Sequence, residues 1–377
     1  MTPRDRKILK AYKKAGARIE TKARVKLKER KDLSLFYTPG VGVASKHLAA
    51  HPEEARELSV KKNSVAVISD GSAVLGLGNI GPYGALPVME GKALIFREFA
   101  GIDAWPIVLN TQDPERIVDT VLAIAPSFGG INLEDIKSPQ CFYVEQRLQK
   151  ELDIPVMHDD QHGTAIVVLA GLINATKIVK KDMKKLRIVI SGAGAAGTAV
   201  AKLLAAFGVR NIVVLDRQGA IYAGRPGLTG QKKELAKLNI LRAKGTLEDV
   251  IKDADVFIGV SGKGLVTKKM VESMNKGAIV FALANPDPEI LPDDAKAAGA
   301  AVVATGRSDF PNQINNALVF PGIFRGALNK GVKKITEDTK LRAAKALAAL
   351  LKHPTASKII PDVFDKRVVP AVARSVR

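Results

Sequence analysis

Leu186-Arg-Ile-Val-Ile-Ser-Gly-Ala-Gly-Ala-Ala-Gly197 is the stretch that decides the fold of this chain. Its apolar half predicts a buried strand, and the Gly-x-Gly-x-x-Gly turn that follows opens a predicted helix over 196–207. A second apolar strand is predicted over 211–215, and Asp216 stands at its end. Strand, glycine turn, helix, strand and acid in this order predict a dinucleotide-binding α/β unit.

The glycine turn also predicts where the cofactor lies. Gly192 and Gly194 let the backbone approach a pyrophosphate that rests on the helix N-terminus, so the whole turn is predicted to bind the cofactor: Gly192, Ala193, Gly194, Ala195, Ala196 and Gly197. Asp216 would accept hydrogen bonds from the adenosine ribose and favours NAD, because a carboxylate repels a 2′-phosphate. Arg217 beside it leaves NADP open, because a guanidinium can accept that phosphate.

Strands and helices alternate on both sides of this unit. Ahead of it, strands are predicted at 64–69, 105–109, 130–135 and 154–157, with helices over 86–99, 113–125 and 140–151 between them. Behind it, strands are predicted at 256–258, 278–281 and 301–303. A helix is expected after Gly163, running through 165–172. This alternation predicts an α/β protein with mostly parallel sheets.

Composition sets the broad class. A chain of 377 residues fits two domains, and its 46% hydrophobic and 25% charged residues are typical of a soluble globular enzyme. No stretch approaches the roughly 20 uninterrupted apolar residues of a membrane span, so no membrane partner is expected. The first residues lack the apolar core of a secretory signal, and a single cysteine, Cys141, fits a reducing compartment. We therefore expect a cytoplasmic protein.

The net charge of +20 is concentrated at the two ends of the chain. Residues 1–32 hold 13 Lys/Arg against 4 Asp/Glu, and residues 329–377 hold 12 against 4. Basic ends can bind nucleic acid, but aromatic residues are sparse there and the basic residues alternate with apolar ones, as on the solvated face of a helix. The pattern favours solvated helices over a nucleic-acid partner.

Two pairs of adjacent acids precede the glycine turn. They are Glu134-Asp135 and Asp159-Asp160, the second pair flanked by His158 and His162. Neighbours on a regular strand point to opposite faces, so Glu134 and Asp135 can share one ion only where the backbone leaves strand geometry. One residue of the second pair should face the ion while the other turns away to orient a neighbour. Oxygen ligands without thiolates favour Mg²⁺ or Mn²⁺ over zinc.

The alternative to metal binding is a structural role, in which these acids cap helices and pair with surface lysines. The two histidines are expected to form hydrogen bonds behind the ligands rather than to bind the ion. Lys92 is a single lysine entering a predicted apolar helix, and it can simply extend its head to water. If it is buried beside a cation, it can lose its proton and act as a base. A metal beside a nicotinamide cofactor indicates hydride removal from a carbon whose oxygen the metal polarises.

The predicted organisation has three parts. Residues 1–160 form an N-terminal α/β catalytic and metal-binding domain, and residues 161–320 form a Rossmann-like, doubly wound NAD(P)-binding domain. Residues 321–377 form a helical C-terminal tail that packs back on the catalytic domain.

Over roughly residues 18–350 the chain resembles the short malic enzymes of bacteria and archaea. The resemblance is carried by seven strings: DLSLFYTPGV (32–41), VLGLGNIGP (74–82), PVMEGKAL (87–94), FGGINLEDI (128–136), DDQHGTA (159–165), ALANPDPEI (282–290) and TGRSDFPNQINN (305–316). It implies oxidative decarboxylation of L-malate to pyruvate and CO₂ with reduction of NAD(P)⁺, with oxaloacetate decarboxylation as a further reaction. It also implies a homodimer or a larger homo-oligomer.

The resemblance further implies roles for individual residues. The metal ligands would be Glu134, Asp135 and Asp160, and Lys92 would be the base, in contact with the substrate and oriented by Asp159. Tyr37 would protonate C3 of enolpyruvate.

The remaining implied contacts lie around the substrate. Asn285 and Asn315 would bind malate near the nicotinamide, with Asn285 also touching the cofactor. Ala73 stands where long eukaryotic members of the family place an arginine, so the grip on the C4 carboxylate is open and Ser72 is a candidate for it.

Overall fold

The computed structural model describes residues 1–377 and contains ten strands in two sheets. The strands are β1 (Ser64–Ser69), β2 (Asp103–Val108), β3 (Gly130–Leu133), β4 (Val156–His158), β5 (Arg187–Ser191), β6 (Asn211–Asp216), β7 (Gly219–Ala220), β8 (Val256–Gly259), β9 (Ile279–Ala282) and β10 (Val302–Thr305).

Sixteen α-helices connect and cover the two sheets. They are α1 (Pro3–Ala15), α2 (Arg30–Phe36), α3 (Val41–Ala50), α4 (Ala55–Leu58), α5 (Gly81–Ala100), α6 (Pro114–Ile124), α7 (Gln140–Glu151), α8 (Asp159–Val179), α9 (Ala195–Phe207), α10 (Gln231–Leu238), α11 (Leu247–Ile251), α12 (Lys268–Glu272), α13 (Pro292–Ala297), α14 (Phe320–Lys330), α15 (Glu337–Ala348) and α16 (Val368–Ser375).

The first sheet is parallel throughout, in the order β2-β1-β3-β4. Its central strand β1 is buried at every residue, because α5 packs on one face while α6 and α7 cover the other. A strand covered on both faces reads as a continuous apolar run rather than an alternating one. The register pairs Ile68 with Leu133 and Leu133 with His158. Residues that follow β1, β3 and β4 therefore meet at one edge.

The second sheet has the order β10-β9-β8-β5-β6-β7. All of its strands are parallel except β7, which pairs antiparallel with β6. From β5 the chain builds outward first through β6 and then back through β8, which is the doubly wound arrangement. The predicted fold class, α/β with parallel sheets and a helical C-terminal end, is confirmed.

Helix α8 joins the two halves. It begins at Asp159, directly after β4, and not beyond Gly163 as the sequence indicated. The two acids therefore occupy its first turn, where a helix N-terminus favours negative charge. By length and mean hydropathy α8 is the single helix apolar enough to cross a membrane, but 67% of that window is buried inside the protein. It packs against α9 and α15, which is the position of a core helix.

The C-terminal helices pack on both halves. Helix α14 lies on α5 and α16, where Phe320 and Phe324 place their ring centroids 4.8 and 5.5 Å from that of Phe96. Helix α15 lies on α8 and α9. One apolar cluster runs from Phe96 through these helices to the core of the second sheet. The predicted domain boundaries fall inside α8 and α14, which both run across them.

The first sixty residues differ from the rest of the chain. Helices α1 to α4 contain no buried residue. The segment is tied to the first domain by ion pairs from Arg18 to Glu90, at 2.8 Å, and from Arg24 to Asp103, at 2.5 Å. Six large apolar side chains of α2, α3 and the turn between them are exposed: Leu33, Leu35, Phe36, Tyr37, Val41 and Val43.

Candidate active site

Three carboxylates meet at the edge where β3 and β4 end. Glu134 and Asp135 follow β3, and Asp160 stands in the first turn of α8. One oxygen from each lies within 4.8 Å of the others. Glu134 and Asp135 are only 2% and 3% exposed. The fold therefore gathers the residues that the sequence proposed as metal ligands into one buried cluster.

Asp135 departs from strand geometry at this point. Its φ of 55° lies in the left-handed region, where a non-glycine residue is uncommon and needs support from its surroundings. That support comes from hydrogen bonds that its backbone N–H donates to Asp160 Oδ2, at 2.8 Å, and that its carbonyl accepts from Ala73 N–H, at 2.9 Å. This turn of the backbone brings two adjacent carboxylates to the same side.

The electrostatics of the cluster fit a divalent cation. Burial, reinforced by the charge of Asp160, raises the pKa of Asp135 to about 8 and raises the pKa of Glu134 well above its ordinary value. Asp135 Oδ2 is buried and has no hydrogen-bond partner. Crowded carboxylates with an unpaired oxygen are the donor set that Mg²⁺ or Mn²⁺ takes. Glu134, Asp135 and Asp160 would hold such an ion.

Lys92 projects into this cluster from the buried face of α5. Its Nζ lies 3.0 Å from Glu134 Oε1, donates to Asp159 Oδ2, and sits 4.5 Å from the ring centroid of Phe320. Burial alone would lower the pKa of Lys92, but the charges of Asp159 and Glu134 outweigh it and hold the pKa above its ordinary value. The lysine is thus buried among acids and does not extend to water.

The two aspartates of α8 point in different directions. Asp160 faces the carboxylate cluster, while Asp159 is fully buried and binds Lys92. Gly163 makes room for Asp159, since a Cβ at residue 163 would lie 1.9 Å from Asp159 Oδ1. One acid of the pair therefore faces the ion position and the other holds the lysine.

The buried carboxylate of Glu145, on α7, holds the start of α8 in place. It accepts hydrogen bonds from His158 N–H at 2.8 Å and Gln161 Nε2 at 3.1 Å, and it lies 3.0 Å from His162 Nε2. The other ring nitrogen of His162 lies 2.9 Å from Lys340 Nζ. Burial would raise the pKa of Glu145, but His162 and Lys340 lower it to about 2.

The sequence reading missed Glu145 and Lys340. A signal for Glu145 exists, because it shares the spacing of Cys141, Val144 and Leu148 on the buried face of α7, where an unpaired acid would be costly. Lys340 carries no such signal. Of the two histidines that were expected to form hydrogen bonds behind the ligands, His162 does so with Glu145 and Lys340. His158 is fully buried, but neither of its ring nitrogens has a hydrogen-bond partner, and Nδ1 lies 3.7 Å from Asp160 Oδ2.

The residues proposed for the substrate lie in three different settings. Ser72 uses its hydroxyl within the turn, donating to Asp70 Oδ1 at 2.6 Å and accepting from Lys137 N–H at 2.9 Å. Asn315 caps a short helical turn through Oδ1, which accepts from Ala317 N–H at 2.8 Å. Its amide nitrogen is left as a donor.

Asn285 lies where the two halves of the chain touch. A Cβ on Gly76 would come within 1.8 Å of the Asn285 carbonyl oxygen, so a glycine is needed for this close approach. The loop after β9 thereby meets the loop that precedes α5. Asn285 itself is exposed at this junction.

Tyr37 makes no hydrogen bond to Lys92 or to the carboxylate cluster. It directly follows α2, its side chain is 64% exposed, and no residue of α2 is buried. Within a single chain the proposed acid is therefore exposed, whereas the proposed base is buried.

The glycine turn has the geometry that a dinucleotide site needs. Gly192 has a φ of 117°, and a Cβ on Gly197 would lie 1.8 Å from the Gly192 carbonyl oxygen. Neither position tolerates a larger residue. At the end of β6, Asp216 is paired with Arg225 and Lys232, while Arg217 is exposed.

The two halves together place the chain among the two-domain, nicotinamide-dependent oxidoreductases. A family model described as "Malic enzyme, N-terminal domain" matches residues 16–149, and one described as "Malic enzyme, NAD binding domain" matches residues 161–376. The chain belongs to the malic enzyme family.

Individual relatives agree with this assignment. The chain is 55% identical to the bifunctional malic/malolactic enzyme of Bacillus subtilis, over 98% of this chain and 91% of that protein. It is 50% identical to the NADP-dependent malic enzyme of Halomonas elongata, over 89% of this chain and 79% of that protein. The crystal structure of the NAD-dependent malic enzyme of Thermotoga maritima superimposes with a TM-score of 0.95 at 47% identity, covering 98% of both chains.

Proposed function

We propose that the protein oxidatively decarboxylates L-malate to pyruvate and CO₂, with reduction of NAD(P)⁺ and with dependence on Mg²⁺ or Mn²⁺. The observation that carries this proposal is Lys92, buried between Glu134 and Asp159 at the edge of the carboxylate cluster. A base beside a cation site and across from a dinucleotide turn suits removal of a hydroxyl proton and a hydride from the same carbon.

The cation, held by Glu134, Asp135 and Asp160, would polarise the C2 oxygen and stabilise negative charge as CO₂ leaves. The dinucleotide, resting on the glycine turn before α9, would accept the hydride. Asn285 and Asn315 would orient malate between them, because both follow strands of the second sheet and Asn285 touches the first domain.

Lys92 would take the C2 hydroxyl proton while the C2 hydrogen leaves as hydride. To do so Lys92 must be neutral. Burial lowers the pKa of Lys92, but Asp159, Glu134 and Asp160 raise it, so a cation held by Glu134 and Asp160 would offset part of their charge and favour the neutral lysine. Asp159 would hold Nζ in position through its hydrogen bond. The product of this half-reaction is oxaloacetate.

The second half-reaction breaks the bond between C3 and C4 of oxaloacetate. C4 leaves as CO₂, the electron pair of the C3–C4 bond forms the C2–C3 double bond, and the C2 carbonyl pair moves onto its oxygen to give the enolate of pyruvate. C3 then takes a proton from Tyr37 as the carbonyl re-forms, which gives pyruvate. Tyr37 regains a proton equivalent to the one that Lys92 took in the first half-reaction. Because these steps need no hydride transfer, we also propose that added oxaloacetate is decarboxylated directly.

We propose that the working enzyme is a homodimer or a larger homo-oligomer. Tyr37 is exposed and makes no hydrogen bond to Lys92 in one chain, and the segment around it exposes Leu35, Phe36 and Val43. A second copy that covers this segment would bury apolar surface and bring Tyr37 to the site of its partner. We further propose a cytoplasmic location, supported by the single buried cysteine, Cys141.

Absorbance at 340 nm tests the reaction. Purified protein with L-malate and Mn²⁺ should reduce NAD⁺ or NADP⁺, should form one pyruvate per reduced dinucleotide, and should stop when EDTA is added. Lactate should be measured as well, since one relative is named a malic/malolactic enzyme. No reduction of either dinucleotide, or a rate that EDTA does not change, would reject the proposal.

A further inference from the structure

The acid at the end of β6 is fully occupied by donors from its own chain. Asp216 Oδ1 accepts from Arg225 Nη1 and from Gln218 N–H, both at 2.9 Å. Oδ2 accepts from Arg225 Nη2 at 2.5 Å and from Lys232 Nζ at 2.7 Å. The carboxylate therefore accepts four hydrogen bonds, from Gln218, Arg225 and Lys232, before any ligand binds.

Arg225 holds this arrangement in place. Its side chain is 9% exposed and also donates to the carbonyls of Gly219 and Ala220, at 3.1 and 3.2 Å. The guanidinium is thus built into the β6–β7 hairpin and cannot leave Asp216 without losing buried hydrogen bonds. Burial would raise the pKa of Asp216, but the donors from Arg225, Lys232 and Gln218 outweigh it and hold the pKa well below its ordinary value.

The surroundings carry more positive than negative charge. Arg225 and Lys232 together more than neutralise Asp216, and Arg217 is exposed and makes no ion pair. A cleft of about 510 Å³ opens at the β6–β7 hairpin and is lined in part by Gln218, Arg225 and Lys244. The Lys232 side chain is 41% exposed, so its ammonium group can serve Asp216 and a ligand together.

We propose that the adenosine ribose site accepts a 2′-phosphate, so that this chain binds the 2′-phosphorylated dinucleotide at least as tightly as the unphosphorylated one. Arg217 and Lys232 contact the phosphate, and Arg225 removes the repulsion that Asp216 would otherwise exert. The proposal rests on the dinucleotide site of the proposed function and names its preferred ligand. A guanidinium matches a phosphate with paired hydrogen bonds.

From the sequence alone, Asp216 favoured the unphosphorylated dinucleotide; its partners in the structure support the opposite prediction. An acid at the end of the second strand favours NAD when its oxygens are free for the ribose hydroxyls. Here both oxygens already accept hydrogen bonds from side chains. The acid acts as a support for Arg225 and Lys232, and it no longer excludes a phosphate.

Direct binding tests the proposal without any turnover. Dissociation constants for NADPH and NADH, which differ by the 2′-phosphate alone, are measured on the full-length protein by nicotinamide fluorescence in the absence of malate. NADPH should bind at least as tightly as NADH. Arg217→Ala and Lys232→Ala should each weaken NADPH by about tenfold, as expected for a charge-assisted hydrogen bond, and should change NADH by less than about twofold.

Two matched variants serve as controls. Arg210→Ala removes an exposed arginine just before the start of β6, and Lys233→Ala removes the exposed neighbour of Lys232 on α10. Both should leave the two dissociation constants unchanged. Weaker binding of NADPH than of NADH by the wild-type protein, or equal losses for both ligands in Arg217→Ala and Lys232→Ala, overturns the proposal. Failure to oxidise malate would reject the proposed function and leave this binding result intact.

Discussion

The carboxylates at the two ends of the proposed active site lie in surroundings of opposite charge. At the edge of the first sheet, Glu134, Asp135, Asp159 and Asp160 surround a single Lys92, and the balance is negative. At the edge of the second sheet, Asp216 is paired with two cationic side chains, Arg225 and Lys232, and the balance is positive.

This contrast has consequences for titration and for ligands. Burial and crowding raise the pKa of Asp135 to about 8, whereas donors lower the pKa of Asp216. The opposite charge balances support the proposed cation at the first end and the proposed phosphate at the second. The hydrogen-bond and ion-pair partners of an acidic residue therefore have to be known before the residue can be used to predict a ligand.

The largest effect is expected from removing the one cation at the acidic end. Lys92→Ala should lower malate oxidation by about 10³-fold or more, because a positioned general base contributes on the order of 10²–10⁴. Dinucleotide affinity should stay unchanged, since the glycine turn lies in the other domain. Steady-state rates together with NADPH fluorescence check both parts, and Glu98→Gln, on the exposed face of α5, is the matched control. A normal turnover number in Lys92→Ala would remove this residue from its role.

A smaller effect is expected behind the acidic end. Glu145→Gln should weaken Mn²⁺ binding by about tenfold, because residues that orient ligands contribute roughly 10–100-fold to metal affinity. The physical reason is that Glu145 fixes His158 and Gln161, on either side of Asp159 and Asp160. Calorimetric titration of Mn²⁺ measures it. Glu151→Gln, at the C-terminal end of the same helix α7, should have no effect. An unchanged Mn²⁺ affinity in Glu145→Gln would show that α8 does not depend on this carboxylate.

The smallest effect concerns stability and its pH dependence. The folded-state pKa of Glu145 is lowered to about 2, so its ionised form stabilises the fold above the unfolded-state pKa of about 4.3. That contribution is lost as the pH falls toward 2. Glu145→Gln should therefore reduce the free energy of unfolding by roughly 1–3 kcal/mol at pH 7, and the difference from wild type should shrink between pH 4 and pH 2. Urea unfolding across this range measures it, and a difference that grows on acidification would contradict the assignment.

How far the sequence could predict this molecule depends on how local each contact is. The strand, glycine turn, helix and acid of the second domain lie within a short stretch, so local spacing predicted them. Strand periodicity indicated that Glu134 and Asp135 can share an ion only where the backbone leaves strand geometry, and Asp135 does leave it. That Asp159, and not Asp160, turns toward Lys92 was implied only by the resemblance to malic enzymes.

Contacts between elements that are distant in the sequence could not be predicted from local spacing or strand periodicity. Lys340 reaches His162 from α15, and Tyr37 is exposed because nothing in its own chain buries α2. Arg225 is close to Asp216 in the chain, but only the β6–β7 hairpin shows that it folds back onto the carboxylate. Partners of this kind decide what each acid can bind.

Titration of Mn²⁺ into the full-length protein at pH 7, in buffers of different ionisation enthalpy, tests the central claim most directly. We expect one ion per chain and release of protons on binding, because burial raises the pKa of Asp135 to about 8. We also expect a loss of Mn²⁺ affinity of about 100-fold or more in Asp135→Asn. Asp216→Asn, at the opposite end, should bind Mn²⁺ like the wild type. Absence of binding, or an affinity that Asp135→Asn leaves unchanged, would contradict the claim that this carboxylate cluster is the metal site.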